Sequence, residues 1–300
     1  MKRLCLILFS LIIGLASIKA DSWVNYSYNS SEGQEFYVTF MFNNAQQGSA
    51  SLHLQLFMAA RQSAKVTITT LSRNQVDTMT VDSFLIWELP TPSDAYSQSS
   101  NAITYNSLKV ESDKPISLYF SSFDNDRGDA SLVLPANVLS NEYVIQSSNV
   151  NQQAPSFAII ATEDGTTTVT INPSVSLLDH TEDGEATRPP LPAHNSYDIT
   201  LSKGQVYYAA ASSSQNDISG TTISATQKIA VYNGSQYSYV VPPLGKGYEP
   251  SHIFHQAQPV MMCGVKYPLV KFVGQSTSVV RVTAIYDSTY IYQNGVLIDS

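Results

Sequence analysis

Thr168-Val169-Thr170-Ile171 alternates hydroxyl-bearing residues with β-branched apolar ones. In an extended chain successive side chains point to opposite faces, so Val169 and Ile171 share one face and the threonines the other. The same period of two recurs outward from this stretch, and helical periodicity is scarce. Lys228-Ile229-Ala230-Val231-Tyr232 and Pro115-Ile116-Ser117-Leu118-Tyr119-Phe120 read as strands. So do Phe36–Phe42, Leu52–Phe57, Val66–Leu71, Tyr143–Gln146, Phe157–Ala161, Tyr197–Leu201, Gln205–Ala209 and Val296–Ile298. Turn signals punctuate them at Asn43-Asn44, Asp164-Gly165, Lys203-Gly204, Asn233-Gly234 and Asn294-Gly295. Three stretches read as exposed loops: Ser93–Ser100, the acidic and then proline-rich Leu178–Asn195, and Pro242–Pro250.

The chain also repeats itself. Lys65-Val66-Thr67-Ile68-Thr69 is answered 103 residues later by Thr168-Val169-Thr170-Ile171. Ser112–Tyr119 is answered 113 residues later by Ala225–Tyr232. A third copy begins where Val282–Thr289 echoes Ile159–Thr166, 123 residues on. Such spacings suit whole β-sandwich units, since propeller blades recur at about 40–50 residues. The expected fold is all-β, built of repeated antiparallel sandwich-like modules with hairpins; a propeller-like arrangement is the alternative. The expected division is a signal peptide over 1–20, β-modules over 21–150 and 151–275, and an incomplete third unit over 276–300. That third unit would leave an open sheet edge. Either the two preceding units cover it or the sequence is a shortened form of a longer chain.

The first residues set the expected compartment. Lys2 and Arg3 precede an apolar run from Leu4 to Ile13, and Gly14, Ala16 and Ala20 offer small residues for cleavage. This is the layout of a secretory signal peptide, too short for a membrane span. Of the two cysteines, Cys5 leaves with the leader, so no internal disulfide is expected. Cys263 is then either buried or paired with another molecule, and its neighbours Met261, Met262 and Val265 favour burial. Asn25, Asn29 and Asn233 match the glycosylation signal, which secretion makes reachable.

Charged residues are only 13% of the chain and the net charge is −8. That balance gives no field to attract nucleic acid. Eighteen tyrosines and eleven phenylalanines suit a pleated, half-buried surface. Tyr232, Tyr237, Tyr239 and Tyr248 crowd a glycine- and proline-rich stretch and form a candidate binding surface for protein or glycan. Against it stands simple packing of a sheet face.

Asp124, Asp126 and Asp129 are candidate oxygen ligands for calcium, but the glycine placement and distal glutamate of a helix–loop–helix calcium site are absent. Within them Arg127-Gly128-Asp129 is a tripeptide that some receptors read in extended loops; an exposed polar turn explains it as well. His252 and His255 lack the further ligands of a zinc site. No Gly-X-Ser-X-Gly elbow surrounds a serine, so neither catalytic residues nor a cofactor are expected.

Two blocks carry a family resemblance. One runs Ser131-Leu132-Val133-Leu134-Pro135 through Glu142-Tyr143-Val144 to Ser156–Thr167. The other runs Asp217–Ile223 to Ile229-Ala230-Val231-Tyr232-Asn233-Gly234-Ser235, then Val241-Pro242-Pro243. In that order they resemble the N-terminal domain of the IgG Fc-binding protein family, over a span from Glu35 to the C-terminus. The resemblance implies secretion, a β-module and a role at mucus or matrix surfaces. Many relatives carry cysteines after the counterpart of Gly234-Ser235, where this chain has Tyr237 and Tyr239, and Trp-Gly where it has Cys263-Gly264. The disulfide that the resemblance would imply is therefore missing. Antibody binding belongs to particular members, and no residue here carries it over. The function expected is binding of an extracellular protein or glycan; the alternatives are a structural spacer and, less so, an unrecognised hydrolase.

Overall fold

Two strands of seventeen residues, Leu108–Asp124 and Thr222–Ser238, organise the whole chain. A computed structural model describes residues 30–43, 52–97, 99–124, 127–147, 153–182, 185–239, 250–270 and 280–299. The expected signal peptide over 1–20 lies outside these residues. Strands account for 57% of the structure and helix for 4%, in antiparallel sheets that form a half-barrel and a nearly closed barrel.

In chain order the first sheet contains β1 (Glu32–Val38), β3 (Leu52–Ala60), β4 (Ala64–Thr70), β5 (Gln75–Val81), β6 (Phe84–Glu88), β9 (Leu108–Asp124) and β10 (Arg127–Val133). The short β2 (Phe40–Met41) and β7 (Tyr96–Ser97) form a separate parallel pair. The second sheet contains β8 (Ala102–Thr104), β11 (Ser140–Val144), β12 (Pro155–Ala161), β13 (Thr166–Asn172), β16 (Tyr197–Ser202), β17 (Val206–Ala210), β18 (Thr222–Ser238) and β19 (Ser251–Gln256). Two hairpins stand apart, β14 (His180–Glu182) with β15 (Glu185–Arg188) and β20 (Ile291–Gln293) with β21 (Val296–Asp299).

Both sheets follow one pairing plan. β9 pairs with β1, β3, β4 and β10, while β4 pairs with β5 and β3 with β6. β18 pairs in the same way with β11, β12, β13 and β19, while β13 pairs with β16 and β12 with β17. The registers coincide at the offsets legible in the sequence. Val66 faces Ser112 as Val169 faces Ala225, and Ala60 faces Ile116 as Ala161 faces Ile229. β8 is the addition, joining β17 at the rim of the second sheet.

The sheets differ in what fills them. The second wraps its own core of Phe157, Ile159, Val169, Ile171, Tyr207 and Val231, among others. The first leaves its concave face to the outer face of the second. Ala158, Ile160, Tyr208, Tyr232 and Phe254 join Leu54, Val66, Leu118 and Phe120 in one shared core. β12 is therefore buried on both faces. Aromatic rings from both sheets meet there: Phe120 lies 4.0 Å from Phe254 and packs edge-on to Phe40 and Tyr232. Edge-to-face contacts of this kind add to the burial of area itself.

Several local expectations change. Asn233-Gly234 is not a turn but the interior of β18. A Cβ on Gly234 would collide with the Ile253 carbonyl oxygen and come within 2.8 Å of Phe254 Cα, so the glycine admits the neighbouring strand. The glycines of Asp164-Gly165, Lys203-Gly204 and Asn294-Gly295 do take left-handed backbone, as turns require. β5 and β6 are strands that the sequence reading passed over. β5 is a polar outer strand, and Phe84-Leu85-Ile86-Trp87 is a continuous apolar run. The stretch 178–195, expected as a loop, contains the β14–β15 hairpin.

Candidate binding surface

The predicted tyrosine surface does not assemble. Tyr232 is fully buried, and its hydroxyl donates to the Tyr37 carbonyl oxygen at 2.5 Å. It belongs to the shared core because it lies on the face of β18 that the first sheet covers. Tyr237 is half-buried, with the Arg127 guanidinium over its ring at 4.7 Å from the centroid. Tyr239 is half-buried as well, and Tyr248 lies outside the described residues.

The predicted glycosylation sites divide similarly. Asn233 is buried and its Nδ2 donates to the Gln146 carbonyl oxygen at 2.6 Å, so it is closed to a glycan. Asn25 and Asn29 lie outside the described residues. Cys263, expected to be buried, is exposed instead. The chain has left the second sheet after Gln256; Ala257 still joins the second core, but residues 261–270 are exposed.

Asp129 serves the fold. It lies within β10, where its carboxylate accepts from the Ala130 N–H at 2.8 Å and the Phe254 N–H at 3.0 Å. The edge strands β10 and β19 meet there without pairing, and side chains bridge them. Gln256 Oε1 accepts from the Leu134 N–H at 2.6 Å, and Ser251 Oγ accepts from the Gly128 N–H at 3.3 Å. Burial raises the Asp129 carboxyl, against the opposing hydrogen bonds and the nearby His255. Asp124 closes β9 and faces Arg127 in the β9–β10 register; Asp126 lies outside the described residues. Arg127-Gly128-Asp129 is thus strand rather than an extended loop. Among the described residues no cluster of three or more His, Cys, Asp or Glu is placed to hold a metal. His252 is buried, its Nδ1 3.2 Å from the Ser235 carbonyl oxygen, and His255 projects to the other face.

What the sequence reading missed lies on the convex face of the first sheet. The registers place Ile86, Phe57, Tyr119 and Leu132 side by side across β6, β3, β9 and β10. Ile86 is 47% and Tyr119 45% exposed, and Phe84, one step along β6, is 57% exposed. His53 stacks on Phe123 at 4.7 Å on the same face, held by Glu88 at 2.6 Å. The hydrogen bond from His53 holds the Glu88 carboxyl below its ordinary range. Large apolar residues on a solvent-facing sheet mark an interaction surface. The pairing plan makes the point sharper. The row equivalent to Ile86–Phe57–Tyr119–Leu132 in the second sheet is Tyr208–Ala158–Tyr232–Gln256, and the first sheet buries it. A signal existed in the sequence: Phe57 and Tyr119 fall out of phase with the core residues Leu56, Met58, Leu118 and Phe120.

A groove of about 940 Å³ runs between β1 and the β12–β13 turn, lined by Glu32, Glu35, Glu163, Asp164 and Lys203, among others. Three of its carboxylates are engaged, Glu32 by Arg61 at 2.7 Å, Glu35 by Lys109 at 3.8 Å and Asp164 by Lys203 at 3.1 Å. Most of its carboxylates are thus held in ion pairs.

No helix among the described residues is long and apolar enough to cross a membrane. Neither the curated proteins nor the solved structures yield a match. A family model described as IgGFc binding protein matches residues 129–299, from the junction strand β10 through the β20–β21 hairpin. With more than half of its length matched, the chain belongs to the IgG Fc-binding protein family.

Proposed function

We propose that this protein is secreted and binds other macromolecules, protein or glycan, in a mucus- or matrix-like layer. The observation that carries the reading is the convex face of the first sheet, where Phe84, Ile86 and Tyr119 are exposed beside the half-buried Phe57 and Leu132. Aromatic side chains give large contact area at low entropic cost, which suits recognition of a protein or a sugar ring. Family membership supports binding as the general activity, and the leader-like first twenty residues support export. Asn25 and Asn29 are the glycosylation sites that remain open to this reading.

The test is capture of partners from the native secretions with the purified mature chain and with Tyr119→Asp. The wild type should recover a partner that the variant loses, with no change in melting temperature. No recovered partner, together with self-assembly of the chain, would favour the spacer reading instead.

A further inference from the structure

Coincident registers allow the two sheets to be compared position by position. One step along the strands from the row Ile86–Phe57–Tyr119, the convex face of the first sheet carries Glu88, Gln55 and Ser121. The second sheet carries Ala210, Ser156 and Gly234 at the same three positions, one step from Tyr208–Ala158–Tyr232. There the first sheet covers the row, and Ala210 and Ser156 are buried. Small side chains let two layers approach with little polar surface to desolvate. The first sheet has a carboxylate, an amide and a hydroxyl instead. A dry apolar layer laid over them would strand the carboxylate away from water, so this face suits a ligand that brings its own hydrogen-bonding groups.

The polar set is held in place before any ligand arrives. Glu88 Oε1 accepts from His53 Nδ1 at 2.6 Å and Oε2 from Gln55 Nε2 at 3.1 Å, while the His53 ring stacks on Phe123. The Glu88 and His53 side chains remain open to solvent. Ser121 is buried in the middle of the row, and its Oγ meets no hydrogen-bond partner among the described residues. Beside this set stand the apolar residues. The Phe84 and Phe57 rings lie 6.2 Å apart, and Ile86 and Tyr119 flank Phe57 on the neighbouring strands. Among the described residues, no Lys or Arg lies on this face in β3, β6, β10 or the second half of β9, and Glu88 is its one carboxylate.

A sugar ring has the complementary surface. One face of a pyranose presents C–H groups, which pack on the negative face of an aromatic ring, and its rim presents hydroxyls, which pair with carboxylate and amide groups. The row crosses four strands spaced by about 4.8 Å, so it is roughly 14 Å wide, the length of a short oligosaccharide rather than of one sugar. A sulfated or carboxylated sugar would meet Glu88 with no cation on the face to offset the repulsion. We propose that the convex face of the first sheet binds an uncharged oligosaccharide. Phe57, Phe84 and Tyr119 form the stacking platform, Gln55 and Glu88 pair with hydroxyls, and Glu88 turns anionic sugars away. The inference rests on the binding reading above and narrows its ligand to a neutral glycan.

The probe is a printed array that holds neutral glycans beside their sialylated and sulfated forms, read with the purified chain. Binding to neutral glycans is expected, with the anionic forms of the same glycans weaker by about tenfold. Glu88→Gln keeps the shape of an exposed side chain and should abolish most of that preference at an unchanged melting temperature. Tyr119→Asp should lose the neutral glycans. The proposal is overturned if no neutral glycan binds, if anionic forms bind as tightly, if Glu88→Gln leaves the preference intact, or if Tyr119→Asp binds like the wild type. An empty array with a partner that Tyr119→Asp loses from the secretions would make the ligand a protein and leave the binding reading standing. An empty array with a partner that Tyr119→Asp retains would remove this face from that reading as well.

Discussion

Gly234 stands where a strand passes too close for any side chain, and the cost of filling it is specific. Gly234→Ala would force the Ile253 backbone aside in a buried part of the second sheet. A loss of about 1–3 kcal/mol is expected, since overpacking a tight core costs this order of energy. Gly165→Ala meets nothing within 4 Å and suffers only from its left-handed backbone, so about 1 kcal/mol is expected there. Urea denaturation of the two variants checks the ranking. His252 supplies a pH dependence. Burial pushes its imidazole down to about 4, more than the bond to the Ser235 carbonyl restores. The folded state holds the ring neutral, while the unfolded chain takes up protons first, near the ordinary value of about 6.5. The stabilisation is therefore complete above about pH 6.5 and is lost as pH falls towards 4, by about 3 kcal/mol in all. Burial shifts His255 in the same sense, and Asp129, which burial raises, acts in the opposite one. His252→Gln should lose less melting temperature than the wild type between pH 7 and pH 4.5; an equal loss would remove His252 as the cause. Neither residue announces itself in the sequence, because both depend on which strand lies alongside, and Asn-Gly reads as a turn until β19 is placed.

Strands were legible wherever one face was buried and the other wet. Val66, Ile68, Val169 and Ile171 alternate with threonines for that reason, and all four are core residues. β5 was passed over although Thr78-Met79-Thr80-Val81 alternates, since its outer position puts Asp77 and the exposed Val76 out of pattern, and β6 because its apolar run has no period. The long strands were read only in part: β9 as 115–120 and β18 as 228–232. Their first halves carry polar residues such as Glu111, Ser112, Ser224 and Thr226, which a strand paired on both sides tolerates. The junction of β10 and β19 makes a test at this scale. Asp129→Ala removes the acceptor for the Phe254 N–H and leaves an orphan donor at a sheet edge. A cost of about 1–3 kcal/mol is expected, with faster amide exchange at Phe254 than at Val231 in the middle of the sheet. Unchanged exchange at Phe254 would show that the carboxylate does not bridge the edges.

At the scale of the molecule, repetition was visible before the packing that exploits it. The stretches read as repeats at offsets of 103 and 113 residues also meet in matching registers, Val66 with Ser112 and Val169 with Ala225. What the offsets did not carry is the asymmetry between the copies. The outer face of the second sheet fills the first, so the same row is core in one copy and surface in the other. This is why Tyr232, read in the sequence as a candidate for a binding surface, lies in the core, while its counterpart Tyr119 is exposed. Phe254→Ala should cost about 3–5 kcal/mol, because the ring it deletes touches Phe40, Phe120 and Tyr232 across the sheet interface. Calorimetry should show the two sheets unfolding together in the wild type, since they share one core. The most direct single test is chemical labelling of tyrosines in the purified chain, alone and in the secretions into which the proposed function would place it. Labelling of Tyr119 in the free chain, its protection in the secretions, and silence from Tyr232 throughout are the results expected. Equal labelling of Tyr119 and Tyr232, or a Tyr119 indifferent to the secretions, would contradict the account.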